Sequence, residues 1–526
     1  MRKMKSFILG VTLLFGCADV IDVQPENDTT FTNYFRTTKD AEALLTTLQM
    51  DIRTLMCQPA GRNPHIFAGE IMDEANAAYI EGPRVLSAQY YTGCSWAAYY
   101  TVINSADLIL DNLHRFPLSA EELKPWELQA CFAKGMAYFQ LAQRWGEVPI
   151  TKGTTYFGKI AKSPVHDVLE EATKWALRAL ELPVFNELKD DLDAPRTIKQ
   201  YASKGAAAAL LAHIYAWRAE IENVPEYWTE AEKYCTMIID RKAGHYALAA
   251  TPELVCTSVL SRDNDESIWE IHRTYEDDVI SQQTPAYVSE VFVGYPTYDF
   301  GMYTPYNQMI YKDRIRDMYD EEDLRRDAFF WGIDADSLFL VKSGNSTKAV
   351  LSVGPGDVVF DEYRIKERPE AYINKFRYGI VEVDPYWGWE SYAGMNINKV
   401  IWRLADIILL RAECRARQNN PAAADDLNAI RERAYGNREH DYSAAEGDLR
   451  LAIFKEREKE LILEDHRYYD VRRNGIDYVR RELPEAFGKL TEQDIRDGAL
   501  YLDIDPRATN NNDLMRHNVY WNKFLQ

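Results

Sequence analysis

Acidic and basic side chains alternate along residues 449–475, and this segment is the strongest candidate for charge-based chemistry in the chain. At about 100° per residue, Arg457, Glu460 and Glu464 share a helix arc with apolar side chains. The apolar members of that arc are Ile453, Phe454, Leu461, Tyr468 and Val471. Charges on a buried face must be paired, and spacings of three and four residues let these three pair with one another or with backbone. The pattern predicts a buried ion network, with a solvated helix as the alternative.

A cluster of carboxylates also raises the question of acid/base catalysis. That chemistry needs two carboxyl groups that face an open cleft and have separated pKa values. Here Arg and Lys residues surround Glu456, Glu460 and Asp470 and would keep the pKa of each carboxyl low. The sequence therefore favours a structural ion network over a catalytic pair, and we predict that the protein is not an enzyme.

Sequence motifs for metals, nucleotides and nucleophiles give no support for catalysis either. The 9 histidines are scattered, with no HExxH and no closely spaced Cys and His ligands. GxGxxG, GxxxxGK[ST] and GxSxG are missing from the sequence. The acidic stretch from Asp313 to Asp327 lacks the alternation and the glycine of a calcium-binding hand. We expect no cofactor and no metal site, with an adventitious calcium ion left open.

Two aromatic clusters lie among Gly, Pro and Asp and follow neither a helical nor a strand period. The first falls within residues 285–306, and the second is Tyr386, Trp387, Trp389 and Tyr392. Flat rings stack on the C–H face of a sugar while tyrosine hydroxyls bond its hydroxyl groups, and loops on a rigid scaffold commonly carry such groups. The alternative is that these rings fill a small core under the loops. As ligand contacts we predict Tyr295, Tyr298, Tyr303, Trp387 and Trp389.

The beginning of the chain has the pattern of a lipoprotein signal. Basic residues precede an apolar run from Phe7 to Phe15, and a small residue, Gly16, stands directly before Cys17. Acylation of Cys17 is predicted, with an ordinary secretory signal and a coincidental cysteine as the alternative. No later segment reaches about 18 consecutive apolar residues, so lipid alone would attach the protein to a membrane. The formal net charge of -21 argues against nucleic acid as a partner.

Helical patterns dominate both ends of the chain and come in pairs. Residues 199–219 carry alanines on nearly every side, which indicates a helix enclosed by neighbours, and a second helix follows from Trp228 to Ile239. Residues 397–417 have the same character, and Pro421 opens a partner helix through Ala434. The predicted fold is mainly α: a tetratricopeptide-like helical-repeat scaffold with an inserted loop-rich region containing short strands.

A disulfide between Cys57 and Cys94 is weakly suggested.

The run from Glu456 to Gly475, EREKELILEDHRYYDVRRNG, resembles the signature of the SusD/RagB family of outer-membrane nutrient-binding lipoproteins. Further stretches resemble the recurrent helices of that family in the same order: 102–113, 130–150, 203–217 and 402–434. Together with Cys17, the resemblance covers nearly the whole mature chain. It is loose from Tyr501 to Gln526, and it is lost between roughly Thr274 and Asn396, where ligand specificity usually lies.

The resemblance implies a role as well as a fold. Its helical side would dock on a SusC-like, TonB-dependent transporter in the outer membrane, and its variable side would hold an oligosaccharide at the cell surface. Asp73, Asn76, Tyr79 and Trp96 become ligand candidates because similar proteins use the corresponding early loops, and Trp331 is a further candidate. A peptide ligand, as in RagB-like members, is the first alternative. A glycan-degrading helical enzyme and a scaffold without a small ligand are the others.

Pattern and resemblance together predict the division of the chain. We expect five parts: a signal peptide at 1–16, a lipidated tether at 17–33, an N-terminal helical-repeat part at 34–273, a variable ligand-binding insertion at 274–396, and a C-terminal helical part at 397–526.

Overall fold

The computed structural model describes most of the chain beyond the predicted tether. The described residues are 34–57, 83–89, 92–262, 264–273, 309–343, 346–377, 379–383, 390–510 and 512–524. The predicted signal, Cys17 and the tether lie outside these residues. Among the described helices, none has the length and apolar character needed to cross a membrane.

In the described part of the chain before the insertion, six helices follow one another, and neighbours in this order pack together. They are α1 (Thr38–Met56), α2 (Ala97–Leu110), α3 (Ala120–Trp145), α4 (Val165–Ala179), α5 (Lys204–Ile221) and α6 (Glu226–Ile239). Short 3-10 turns lie at Pro83–Leu86, Thr92–Cys94, Leu113–Arg115 and Phe185–Glu187. After α6, the turn Pro252–Leu254 continues into a π-helical turn, Val255–Val259. Consecutive helices that pack on one another in this way form the predicted tetratricopeptide-like scaffold.

Local signals in the sequence explain where these helices begin, end and cross. Ser119 and Glu122 form a capping box at the start of α3, and Gly146 ends that helix with a φ of 73°. Near its middle, a Cβ added at Gly135 would lie 3.0 Å from the backbone nitrogen of Ala176, so the glycine lets α3 and α4 approach closely at this crossing. The alanines of α5 are buried, which confirms the prediction that other elements enclose this helix.

The insertion begins and ends at one pair of antiparallel strands. β1 (Ser267–Ile271) pairs with β10 (Lys399–Arg403), which brings the two ends of the insertion together beside α5. Between them lie α7 (Lys312–Met318), α8 (Arg325–Phe329) and three small antiparallel sheets, ordered β2-β7-β3, β5-β4-β6 and β8-β9. Their strands are β2 (Met309–Tyr311), β3 (Phe330–Trp331), β4 (Ser337–Ser343), β5 (Ser346–Val350), β6 (Val358–Arg364), β7 (Glu370–Ile373), β8 (Gly379–Val383) and β9 (Glu390–Met395).

The helical scaffold resumes directly after β10. The C-terminal helices are α9 (Leu404–Arg417), α10 (Ala423–Tyr435), α11 (Leu449–Glu460), α12 (Arg467–Arg473), α13 (Ile476–Glu482), α14 (Glu485–Gly488), α15 (Glu492–Arg496) and α16 (Arg507–Asn510). Ala444–Glu446 and Val519–Phe524 are 3-10 turns. Because α9 packs on α6 as well as on α10, the insertion interrupts the sequence of the scaffold but not its packing.

The structure corrects three sequence expectations. Residues 399–403 are a strand rather than the start of a helix, because their β-branched and aromatic side chains pair with β1. The helix expected through residue 475 ends at Glu460, since Leu463 and Asp465 both have left-handed backbone with φ of 64°. Cys94 is a thiol that donates to the carbonyl of Leu86 at 3.5 Å, so it forms no disulfide with Cys57.

Candidate functional site

A buried ion cluster joins the insertion to the helical scaffold. We call it the Arg403 cluster; its members are Glu266, Lys375, Arg403, Arg433, Glu460 and Glu464. Arg403 contacts carboxylate oxygens of Glu266 at 2.8 Å, Glu460 at 2.7 Å and Glu464 at 2.8 Å. Lys375, which belongs to the insertion, contacts Glu464 at 2.6 Å. The arrangement fastens β7 and the following turn to β10 and to the residues after α11.

The Arg403 cluster confirms the prediction that charged side chains of residues 449–475 are buried. Their ion-pair partners differ from those predicted. Arg457 and Glu460 are nearly fully buried, so the solvated helix is excluded. However, they do not pair with each other, because Arg457 faces α9 and α12 while Glu460 faces Arg325, Arg403 and Arg433. Burial alone would raise the pKa of Glu460, but the guanidinium groups of Arg433 and Arg403 outweigh it and hold that pKa far below its ordinary value.

We expect the Arg403 cluster to make stability sensitive to acid. Burial opposes ionisation of Glu464, yet Arg403 and Lys375 lower its pKa from an ordinary 4.5 to about 2. As the pH falls, the Glu464 carboxyl takes up a proton in the unfolded chain before it does so in the folded protein. The stabilisation that the ionised carboxylate contributes is therefore complete above about pH 4.5 and is lost as the pH falls through about 2. Urea unfolding at a series of pH values should show this loss as a slope in the free energy of unfolding against pH. The slope should be reduced in Glu464→Gln, and an unchanged slope in that variant would contradict the assignment.

A second buried cluster lies beside the first, between α5, α9 and α12. Arg457 donates to Asp406 at 2.8 Å and to Asp470 at 3.1 Å, and Nε2 of His213 lies 2.8 Å from the other oxygen of Asp406. Burial would raise the pKa of Asp406, but His213, His466 and Arg457 hold it well below its ordinary value. Glu460, Glu464, Asp406 and Asp470 are therefore ionised and paired, unlike an acid/base pair that faces an open cleft.

A cavity of about 260 Å³ lies above the second cluster. Its walls come from the C-terminal end of α1, residues 93–99, α3, α5, β10 and residues 464–473. Aromatic side chains line much of it: Tyr99, Phe139, Trp145, Trp402 and Tyr469. Uncharged polar side chains add hydrogen-bonding groups: Ser95, Gln140 and Gln143. Rings with a few polar groups between them are typical of sites for small polar ligands.

One predicted ligand residue, Trp96, adjoins this cavity. It is half-buried at the N-cap of α2, and its ring lies 6.1 Å from that of Trp145 in the cavity wall and 6.1 Å from that of Tyr100. Trp331 is not among the cavity residues. Its half-buried ring packs edge-on against Tyr372 at 6.1 Å, next to the small cluster of Leu338 and Ile365. Neither candidate lines the cavity, and of the two only Trp96 contacts a residue of its wall.

The other predicted contacts lie outside the described residues. They are Asp73, Asn76, Tyr79, Tyr295, Tyr298, Tyr303, Trp387 and Trp389. The cavity residues Gln140, Gln143 and His466 were not predicted. Two glutamines three residues apart in the last two turns of α3 are a signal that could have pointed to a polar wall. Across the described ranges, no three His, Cys, Asp or Glu side chains are grouped as a metal site would require.

Comparisons with known proteins agree with this architecture. Residues 302–521 match the model of the SusD family, and residues 22–216 match a family described as starch-binding and associating with the outer membrane. The SusD-like protein P25 of Formosa agariphila is 25% identical over 416 residues, which are 73% of this chain and 70% of that protein.

Two solved structures share the fold. A SusD homolog from Bacteroides thetaiotaomicron superposes with a TM-score of 0.67 at 19% identity, covering 92% of this chain and 98% of that one. The surface glycan-binding protein A from Bacteroides uniformis gives 0.65 at 16% identity, with 92% and 100% covered. These likenesses support the mainly α, tetratricopeptide-like scaffold with its strand-containing insertion.

Proposed function

Because this chain belongs to the SusD/RagB family, we propose that it is a surface lipoprotein of the outer membrane that binds a glycan and delivers it to a SusC-like, TonB-dependent transporter. Acylation at Cys17 would supply the anchor, and several acyl chains on one cysteine suffice for stable attachment. One matched family is described as starch-binding and associating with the outer membrane, which supports both the ligand class and the location. The division into signal, tether, two helical parts and a ligand-binding insertion is part of the same proposal.

The cavity beside Trp96 is the observation that carries a glycan ligand. A sugar presents an apolar C–H face and a rim of hydroxyl groups; the half-buried rings of Trp96 and Tyr469 offer surface for the first, and Gln140 and Gln143 offer hydrogen bonds for the second. The aromatic residues predicted as ligand contacts within 285–306 and 386–392 remain part of the proposal and lie among residues whose side chains the structure does not describe. Peptide sites favour amide and carboxylate groups that satisfy a backbone over stacked rings, and the carboxylates of this wall, Glu464, Asp465 and Asp470, are held in ion pairs.

Binding without cleavage is the second element of the proposal. The carboxylates beneath the cavity, Asp406 and Asp470, are both held in ion pairs with Arg457 and are unsuited to proton transfer. Incubation with polysaccharides and an assay for new reducing ends tests this point. Steady product formation that one Asp or Glu substitution abolishes would replace the binding role with an enzymatic one.

Isothermal titration against a panel of oligosaccharides and peptides tests the ligand class, and Trp96→Ala tests the site. We expect a neutral oligosaccharide to bind, and loss of the Trp96 ring to weaken that binding about tenfold, equivalent to ~1.4 kcal/mol. Phe157→Ala is the control, because this ring is 93% exposed, does not line the cavity and has no predicted role. Binding of peptides alone would favour the RagB-like alternative, and equal effects of the two substitutions would remove Trp96 from the site.

A further inference from the structure

A second cavity, of about 450 Å³, lies in the helical scaffold and takes no wall from the insertion. Its walls come from the start of α4, the C-terminal end of α5, residues 472–479, residues 495–501 and residues 517–519. Among the described residues, none lines both this cavity and the one beside Trp96. Aliphatic side chains cover much of the wall: Val165, Ile221, Ile476, Val479, Ile495 and Leu500. We call this space the Arg472 cavity.

Arg472, which lines this cavity, is a buried cation without an acidic partner. It is 4% exposed, and no carboxylate in the described part of the chain forms an ion pair with it. Its Nη1 donates to the carbonyl oxygen of Gln143 at 2.8 Å, while its Nε has no hydrogen-bond partner among the described residues. The next residue, Arg473, contacts both Glu413 and Asp470 at 2.7 Å. The two neighbouring arginines therefore differ in whether the protein supplies their counter-ion.

Aromatic rings stabilise the Arg472 guanidinium only in part. Its central carbon lies 4.3 Å from the ring centre of Tyr501, 4.9 Å from that of Trp217 and 5.5 Å from that of Tyr468. Contacts with ring faces return less free energy than the loss of water costs a buried ion. Buried cations are normally paired with an anion. An anion that enters the Arg472 cavity would therefore supply what the fold leaves out.

The acidic side chains of the same wall are mostly neutralised within the protein. Glu147 contacts Lys162 at 3.3 Å, and Glu220 contacts Arg417 at 3.4 Å. The third, Asp497, accepts a hydrogen bond from an amide at 2.7 Å. Ion pairing of the first two reduces their repulsion of an incoming anion, so the unpaired charge of Arg472 is not cancelled by its surroundings.

From these contacts we infer that the Arg472 cavity binds a carboxylate carried on an aliphatic body. The guanidinium group donates charge-assisted hydrogen bonds to the carboxylate, and the isoleucine, valine and leucine side chains of the wall cover the aliphatic part. A free aliphatic acid and the C-terminal residue of a peptide both present this chemistry. The inference goes beyond the proposed glycan binding and does not depend on it.

Pairs of ligands that differ only in charge test the site. The wild-type protein is titrated with hexanoate and with hexanol by isothermal calorimetry, and with N-acetyl-leucine and N-acetyl-leucinamide in the same way. We expect the acids to bind about tenfold more tightly than their neutral analogues. Tighter binding of hexanoate would assign free acids as the ligand, and tighter binding of N-acetyl-leucine would assign a peptide end. Neutral analogues that bind as tightly as the acids, or no binding of either acid, would overturn the inference.

Arg472→Gln tests whether the guanidinium carries the selectivity. We expect this variant to bind hexanoate about tenfold more weakly than wild type and to bind hexanol unchanged. Arg480→Gln is the matched control, because Arg480 lies on the adjacent helix α13, is exposed and does not line the cavity. Equal losses of hexanoate affinity in the two variants would show that Arg472 has no special part in binding.

A variant at the mouth of the cavity keeps the test open if Arg472→Gln folds poorly. Val519 lines the cavity but is 60% exposed, so Val519→Asp adds a negative charge without filling the core. We expect it to weaken hexanoate binding severalfold at low salt and less at high salt, because ions screen the repulsion. Leu514→Asp, at an exposed position outside the wall, should bind like wild type. Unchanged hexanoate binding by Val519→Asp at low salt would contradict the placement of the carboxylate.

Discussion

Replacement of Arg403 by Met is expected to lower the free energy of unfolding by about 3–5 kcal/mol, since it leaves buried carboxylates without their partner. Arg403 is 1% exposed and contacts Glu266, Glu460 and Glu464, none of which can reach water in its place. Methionine is similar in length and fills most of the space. The lost free energy of unfolding therefore reports the unpaired carboxylates rather than an empty cavity. Urea or guanidinium unfolding monitored by circular dichroism gives the value.

Arg496→Met is the matched control for Arg403→Met. Arg496 also contacts a carboxylate, Glu492, at 3.4 Å, but its side chain is 64% exposed. A surface ion pair of this kind contributes at most about 1 kcal/mol, so the control should unfold nearly like wild type. Equal losses of unfolding free energy in the two variants would show that burial does not increase the contribution of the Arg403 cluster to stability.

The second large effect is expected at the crossing of α3 and α4. A Cβ at Gly135 would lie 3.0 Å from the nitrogen of Ala176 and 3.1 Å from the carbonyl oxygen of Ala172, and both are backbone atoms that cannot rotate away. Gly135→Val should therefore force the helices apart and lower the free energy of unfolding by about 3 kcal/mol. Gly135→Ala should fall between this variant and wild type, because better helix propensity returns up to about 1 kcal/mol.

Ala429→Val controls for the helix propensity of valine. Ala429 is exposed on α10, where an added side chain meets solvent, and the expected loss is about 0.5 kcal/mol. Thermal and chemical unfolding of both valine variants, followed at the same wavelength, gives the comparison. A Gly135→Val protein as stable as Ala429→Val would mean that α3 and α4 separate at little cost.

Predictions that rest on local pattern agree best with the structure. The alanines of α5 are surrounded because small side chains on every face allow neighbours to approach from every side. Burial of Arg457 and Glu460 was predictable from their positions among apolar residues on one helix arc. Local pattern was less reliable for residues 399–403, which share apolar character with α9 but pair with β1, a strand more than a hundred residues earlier.

The candidate site was harder to predict because no single stretch of sequence contains it. Trp96 was identified through the family resemblance and adjoins the cavity through its contact with Trp145. Gln140 and His466 carry no motif that distinguishes them from other helical or loop residues. Their role becomes visible only when α3 and residues 464–473 face one another across the same space.

The sequence by itself determined most of the helical segments, where charge is buried and which family the chain resembles, since each depends on spacing along a few turns. Only the tertiary structure decided which charges meet and where a ligand can enter. Arg403 and Glu266 are 137 residues apart, and no local rule selects that pair over another. The physical reason is that a buried ion requires any partner of opposite charge within reach, and packing of distant elements determines which partner is there.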